Sequence, residues 1–321
     1  MAIYKKILLA VDGSQTSDQA MEKIANFAAP GSTVHVVHVL EDPLTTYPMI
    51  NEDFTYIELL REIGIAEGKK LLAKAETALQ AQGYEVQTSL PDLRELGGDI
   101  PGAIKAEGEK WDADLTVLGT HGRRGVRRMF LGSVAEHFVR ISERPVLLVH
   151  AIEQAAGKPE TEHPVAQEQA GMLKRILVAI DGSELAENAL RQACALAKAQ
   201  GCEIHALYIN VDPFLAFPLL GVVYFQRQAM LQAAADQAAN IRKAALHIFD
   251  TFGIRGDVQI LDLEVRDKRV ADLIREVGKR WNASVVVMGS HGLRGMQRLM
   301  LGSVAEHYLR IADRPVLIIK S

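Results

Sequence analysis

Residues 119–149, GTHGRRGVRRMFLGSVAEHFVRISERPVLLV, recur at 289–319 as GSHGLRGMQRLMLGSVAEHYLRIADRPVLII. Aligned without a gap, the two stretches agree at 19 of 31 positions. Each opens on a glycine (Gly119, Gly289) and, after two residues, has a second (Gly122, Gly292). Nine residues further on comes Gly132-Ser133 or Gly302-Ser303. The copies lie 170 positions apart (119 to 289), and a second pair, Ala10-Val-Asp-Gly-Ser14 and Ala179-Ile-Asp-Gly-Ser183, lies 169 apart (10 to 179). The chain therefore reads as a duplicated nucleotide-binding module, and the duplication fixes the domain count before any other argument. The expected division is a first lobe over 1–150, a linker over 151–171 and a second lobe over 172–321. The linker is rich in Ala, Glu, Gln, Gly and Pro and almost free of large apolar side chains.

Around the repeat, each lobe alternates strands and helices. Lys6-Ile-Leu-Leu-Ala-Val11 is the continuous apolar run of a strand buried on both faces of a parallel sheet. Asp12-Gly-Ser14 then turns the chain into helical spacing over about 15–29. The pattern continues as strand 33–40, helix 57–82, strand 84–89, helix 99–110, strand 114–118, helix 133–142 and strand 146–149. The second lobe repeats the order at 175–180, 184–199, 203–210, 225–251, 256–263, 270–280, 284–288, 303–312 and 316–320. Right-handed crossovers between such units give an α/β fold of two open, doubly wound parallel sheets.

Composition narrows the function classes. The chain has 321 residues, 48% of them hydrophobic, enough for two cores of about 150 residues each. A net charge of −4 calls for neither nucleic acid nor an anionic membrane as partner. The charge is uneven: 1–150 holds 16 basic and 21 acidic side chains, net −5, and 172–321 holds 19 and 15, net +4. Those opposite signs favour docking of one lobe on the other. Only Cys194 and Cys202 occur, with no Cys-x-x-Cys, which suits two small core residues in a reducing cytoplasm. The start has no signal-peptide layout. The longest apolar stretch, 214–225, is broken by Pro218 and Gly221 and falls short of the roughly 20 residues of a spanning helix.

The repeated loops follow strands 114–118 and 284–288, where an open α/β sheet places its ligand crevice. Glycine there lets backbone N–H groups approach phosphate oxygens, and Gly132-Ser133 opens a helix whose positive end suits an anion. Ser133 and Ser303 add a hydroxyl donor. The structural alternative is a plain strand-to-helix joint, with Ser133 as N-cap and Glu136 completing a capping box. Two near-identical copies favour the phosphate reading. Asp12 and Asp181 end the first strands, where a carboxylate either accepts ribose hydroxyls, holds a divalent ion bridging phosphates, or caps the next helix. Arg123, Arg124, Arg127 and Arg128 crowd the first loop; the second keeps Arg294 and Arg298. His121 and His291 fit a turn-stabilising hydrogen bond better than a metal, His137 and His307 a structural role on their helices, and Trp111 and Trp281 packing better than base stacking.

A strand entering Asp-Gly-Ser, then Gly-x2-Gly-x9-Gly-Ser before a helix and a final Arg-Pro-Val-Leu strand, resembles the universal stress protein family. Both lobes match over nearly their full length, as in a tandem member of its ATP-binding branch. The resemblance implies strand order 3-2-1-4-5 and adenosine over the ends of strands 1 and 4. It implies contacts from Ala10, Asp12, Val39, Leu118, Gly119, Gly122, Gly132, Ser133 and Val134 in the first lobe. In the second lobe the equivalents are Ala179, Asp181, Ile209, Met288, Gly289, Gly292, Gly302, Ser303 and Val304. It further implies ATP or a related adenine nucleotide as ligand, with magnesium or manganese entering through the phosphates at Asp12 or Asp181. Fifth strands pairing as an internal pseudo-dimer, a homodimer, and protein partners of unnamed kind complete the picture. The second lobe departs from the first at 265–270, Val-Arg-Asp-Lys-Arg-Val, where 97–102 reads Gly-Gly-Asp-Ile-Pro-Gly. That difference predicts unequal sites, the first being tighter. The 265–270 charges would then close over the second site or stand in for the phosphate-binding arginines that its loop lacks.

The function expected is a regulatory nucleotide-binding protein of the stress response in which catalysis is slow or absent. No Walker Gly-Lys-(Ser/Thr) is present and no base is placed to orient water. An adenylating enzyme of the related adenine-nucleotide α-hydrolase superfamily would carry Ser-Gly-Gly-x-Asp-Ser after the first strand, which Asp12-Gly-Ser14 lacks. A ligand-free scaffold is disfavoured by retention of both glycine loops.

Overall fold

The computed structural model describes residues 3–46, 54–122, 131–150, 173–211, 224–263, 269–293 and 301–320. The linker expected at 151–171, the arginines of both loops, positions 214–223 of the apolar stretch and 265–268 lie outside the described residues. The chain forms two compact units that divide at Leu173.

In the first unit the elements are β1 (Tyr4–Ala10), α1 (Gln15–Lys23), a 3-10 turn (Ile24–Asn26), β2 (Ala28–Val37), α2 (Pro43–Thr46) and α3 (Phe54–Ala81). There follow β3 (Glu85–Ser89), α4 (Leu93–Leu96), α5 (Ile100–Lys110), β4 (Leu115–Gly119), α6 (Ser133–Ile141) and β5 (Val146–Val149). All pairings are parallel, β1 lying between β2 and β4, so the order is β3-β2-β1-β4-β5. The second unit runs β6 (Arg175–Ile180), α7 (Glu184–Gln200), β7 (Glu203–Val211), α8 (Tyr224–Phe252), β8 (Gly256–Leu263), α9 (Val270–Arg280), β9 (Val285–Gly289), α10 (Ser303–Ile311) and β10 (Val316–Ile319). Its parallel order, β8-β7-β6-β9-β10, is the same topology. Each first strand is thus flanked by strands reached in opposite directions, the arrangement that opens a crevice at their carboxyl ends.

The central strands are apolar because helices cover both faces. Ile7, Leu8 and Leu9, like Ile176, Leu177 and Val178, have no exposed surface, and each such side chain stabilises the fold by about 1.5–3 kcal/mol. Cys194 is buried and Cys202 half-buried; burial pushes their thiols up to about 12 and about 11, so both stay protonated at neutral pH.

One element ends earlier than its periodicity predicts. The helix expected to reach position 29 stops at Lys23, and β2 already begins at Ala28. Pro30 disfavours helical backbone at the residue before it, and the register slips between Tyr4↔Ala28 and Lys6↔Thr33 around Gly31, whose φ is +75°. At the opposite end of each sheet from the crevice, Trp111 meets His35 edge-on at 5.3 Å and Trp281 meets His205 at 5.1 Å. Both tryptophans pack, as expected. Among the described residues no helix is long and apolar enough to cross a membrane.

Candidate nucleotide site

At the carboxyl ends of β1, β2 and β4 the first unit holds a cavity of about 910 Å³, within the range of small-molecule sites. All nine first-lobe positions named from sequence line it. Ala10 and Asp12 come from the end of β1, Val39 from beyond β2, and Leu118, Gly119 and Gly122 from β4 and its loop. Gly132, Ser133 and Val134 enter from the start of α6. Register explains the convergence: Leu9 pairs with Val117 and Ala10 with Val37, so strand ends 117–119, 9–12 and 37–40 lie side by side.

The glycines are required by close backbone passage. A Cβ on Gly119 would stand 2.9 Å from the Thr16 carbonyl carbon, and one on Gly132 would stand 2.8 Å from the Thr120 oxygen. The Gly132 N–H is spent on that same oxygen, at 2.8 Å. Gly132 is the N-cap of α6 and Ser133 its first residue, so the capping box weighed from sequence does not form. The first intrahelical bond runs from Glu136 N to Gly132 O. The N–H groups of Ser133, Val134 and Ala135 precede it, all three residues line the cavity, and the Ser133 side chain is exposed.

Asp12 does not cap α1. Ser14 does, while Asp12 Oδ1 accepts from Ser14 N at 3.0 Å in an Asx turn. A Cβ at Gly122 would lie 2.9 Å from Asp12 Oδ2, which places that carboxylate at the cavity wall. The loop is tied to α1 through one carbonyl: Ser14 Oγ donates to His121 O at 3.0 Å, and Thr16 Oγ1 donates to the same oxygen. The His121 ring meets Thr120 Oγ1 at 2.9 Å, the turn-stabilising bond expected, and His291 meets Ser290 Oγ at 3.1 Å. His121 Nε2 is buried with no partner among the described residues, an orphaned polar atom on a residue that lines the cavity. Backbone N–H groups at a helix start, a roof with no room for Cβ atoms and an orphaned imidazole nitrogen fit a phosphorylated ligand.

Sequence reasoning missed a wall. Leu60, Ile63 and Gly64 of α3 also line the cavity. Gly64 and Gly68 allow α3 to press on β2 and its extension: a Cβ at Gly64 would come within 2.9 Å of Leu40, and one at Gly68 within 2.9 Å of His38. Two glycines one turn apart in a helical pattern were the available signal for that approach.

In the second unit Val178 pairs with Val287 and Ala179 with Leu207, and Ala179, Asp181, Ile209, Met288, Gly289, Gly292, Gly302, Ser303 and Val304 take the corresponding strand ends and helix start. Ile209 and Met288 are buried; Ser303 and Val304 are exposed. Here Asp181 Oδ1 accepts from both Ser183 N, at 3.0 Å, and Ser183 Oγ, at 2.6 Å, and Oδ2 accepts from Leu293 N at 3.1 Å. Leu185 stands where the first lobe has Thr16, against Gly289. Burial and the Asp181 charge push the neighbouring Tyr208 hydroxyl up. Arg269 N donates to Asp272 Oδ2 at 3.0 Å and its guanidinium lies 3.2 Å from His307, so this member of the 265–270 group is committed to α9 and α10. His137 likewise sits 3.1 Å from Asp99, the N-cap of α5. Among the described residues no three acidic, imidazole or thiol groups converge to hold a metal ion.

The family model for the universal stress protein family matches residues 3–150 and again 172–320. A universal stress protein of Mycobacterium tuberculosis is 28% identical over 315 residues, covering 97% of this chain and 96% of the relative. One from Mycolicibacterium smegmatis is 25% identical over 319 residues, covering 98% and 96%. The crystal structure of a universal stress protein from Archaeoglobus fulgidus superposes with a TM-score of 0.64 at 21% identity, covering 98% of both chains, and so shares the fold. With the family model matched once in each lobe and relatives aligned end to end, the chain belongs to the universal stress protein family.

Proposed function

We propose that the protein binds ATP or a related adenine nucleotide at the carboxyl ends of β1 and β4, and by equivalent positions at those of β6 and β9, and acts as a regulatory protein of the stress response. The observation that carries this reading is the first-lobe cavity, which gathers all nine positions drawn from the family's ATP-binding pattern. Its chemistry is divided as a nucleotide is. Ala10, Val37, Val39 and Leu40 offer an apolar slot for a base. Asp12 offers a carboxylate for ribose hydroxyls, and the N–H groups of Ser133, Val134 and Ala135 offer a positive helix end for phosphates. Magnesium or manganese would enter with the phosphates, through Asp12 or Asp181, rather than be caged by protein groups alone. Hydrolysis is expected to be slow or absent.

Protein purified without added nucleotide, denatured, and its released small molecules identified by mass tests the reading. An adenine nucleotide at about one equivalent or more per chain supports it. Absence of any bound nucleotide, together with no heat in titrations with ATP, ADP and AMP, overturns it. Phosphate release from ATP well above background and abolished by Asp12→Ala would instead favour a hydrolase.

A further inference from the structure

The second unit contains a separate groove of about 630 Å³ between α7 and α8, and it includes none of the nine second-lobe nucleotide positions. Its floor is aliphatic, with Ile180, Leu190, Ile241 and Ala245 prominent. Its rim carries the carboxylates of Glu187 and Asp236 and the amides of Gln237 and Asn240, with no lysine or arginine among its described lining residues.

The duplication shows what this surface lacks. A Cβ on Gly13 would meet Leu71 of α3, and one on Gly182 would meet Ile241 of α8, so α3 and α8 correspond at a spacing of 170 (71 to 241). Gly83 and Gly253, which follow the two helices with φ of +90° and +64°, keep the same spacing. On that register Lys70 and Lys74 of the first lobe become Asn240 and Ala244, and Ala66 becomes Asp236. Asp18 of α1 is retained as Glu187, on the 169 spacing of the preceding strands. In the first lobe the Lys74 ammonium crosses from α3 to Asp18, at 2.8 and 3.0 Å from its two oxygens. In the second lobe the carboxylate remains and another is added, while both ammonium groups are gone. Glu187 is met at 3.4 Å by Arg191 of its own helix, and Asp236 accepts from Gln232 at 2.9 Å, so among the described residues both acids keep a contact from their own helix but none from across the groove.

We propose that this groove is a binding site for a linear aliphatic diamine or polyamine, whose methylene chain lies on the aliphatic floor and whose ammonium groups stand beside Glu187 and Asp236, one of them in the place that the Lys74 ammonium holds in the first lobe. Hydrocarbon contact and charge complementarity then act on one ligand, as snorkelling lysine side chains do within proteins.

Calorimetric titration of the full chain with 1,5-diaminopentane and with spermidine tests the proposal. One site per chain is expected, with spermidine tighter. Ala244→Lys, which restores the first-lobe arrangement on a half-exposed helix position, is expected to weaken binding by at least about tenfold, and Glu187→Gln to do the same. Asp18→Asn, which removes the corresponding carboxylate from the first lobe, is expected to leave the affinity within about twofold. Circular dichroism of each variant confirms that α8 is intact. Equal affinity in wild type and Ala244→Lys, or equal weakening by Asp18→Asn and Glu187→Gln, overturns the proposal, the latter showing attraction to surface charge in general.

Discussion

The two lobes use the same Asp-Gly-Ser turn to different ends. In the first, the Ser14 hydroxyl and Thr16 reach across to His121 O and fasten the glycine loop to α1. In the second, the Ser183 hydroxyl folds back onto Asp181, Leu185 replaces the threonine, and the loop is held instead by Asp181 accepting from Leu293 N. Among the described residues, one lobe holds its loop through hydroxyl groups bonded to a carbonyl, and the other through the carboxylate proposed for ribose or metal-bridged phosphates. Among the described residues Asp181 has three protein donors and Asp12 one, Ser14 N, and a carboxylate with more donors gains less from a ligand because each new hydrogen bond replaces an existing one. Conserved motif letters can thus leave two sites unequal, through a residue outside the motif.

Four experiments break or sharpen that contrast. The largest effect is expected from a new carboxylate beside the old one. Gly122→Asp sets a second acid against Asp12 and is expected to weaken nucleotide binding at least ~100-fold, about 2.7 kcal/mol. Gly292→Asp is expected to remove the smaller share of the binding heat in titration calorimetry. Equal losses would dissolve the distinction between lobes.

Next come the glycines that touch α1 and α7. Gly119→Ala drives its methyl into Thr16 backbone at 2.9 Å, whereas Gly289→Ala meets the Leu185 side chain at 3.0 Å and His291 O at 3.1 Å. Both overpack, at about 1–3 kcal/mol, and denaturant unfolding should show Gly119→Ala as the costlier. A smaller effect follows from the tether itself. Thr16→Val keeps the shape and deletes the hydroxyl, an expected loss of about 1 kcal/mol in unfolding free energy and faster hydrogen exchange at 119–122. No change in that exchange would remove the tether from the account.

The smallest effect treats the lobes alike. Burial depresses the imidazoles of His35 and His205 below the usual 6.5, with the nearby acids Glu107 and Asp257 opposing it only in part. The unfolded chain therefore binds these protons first. The stability involved is fully present above about pH 6.5 and is lost as pH falls below it. Melting temperatures at about pH 7.5 and 5.5 should differ less in His35→Gln and His205→Gln than in wild type. If only one variant flattens the profile, the two His–Trp clusters are not equivalent after all.

Much of this is legible from sequence because it rests on local rules. Buried parallel strands announce themselves as unbroken apolar runs, and Gly119 and Gly132 sit where any Cβ would strike backbone. The α3 wall is less legible: Gly64 and Gly68 signal a close approach, but that Leu60 and Ile63 thereby reach the cavity depends on long-range packing. The early end of α1 is hidden for a related reason. Ile24 and Phe27 keep helical spacing because both are buried, at 0% and 1% exposure, yet they do so from a 3-10 turn leading into a bulged strand. Periodicity reports burial, and only the proline at 30 hints at the change of backbone. Ser133 as first helical residue instead of N-cap is a shift of one position, beyond the resolution of sequence patterns.

The first-lobe cavity draws its walls from β1, β2, α3, β4 and α6, so one small molecule would contact nearly every part of a single folding unit. Occupancy would then act as a clamp on that unit's unfolding, adding about 2.7 kcal/mol when ligand stands at 100 times its dissociation constant. With the proposed nucleotide as ligand, a chain built this way would convert metabolite level into the lifetime of its first lobe. Proteases and partner proteins that sense partial opening could read nucleotide supply without any hydrolysis taking place.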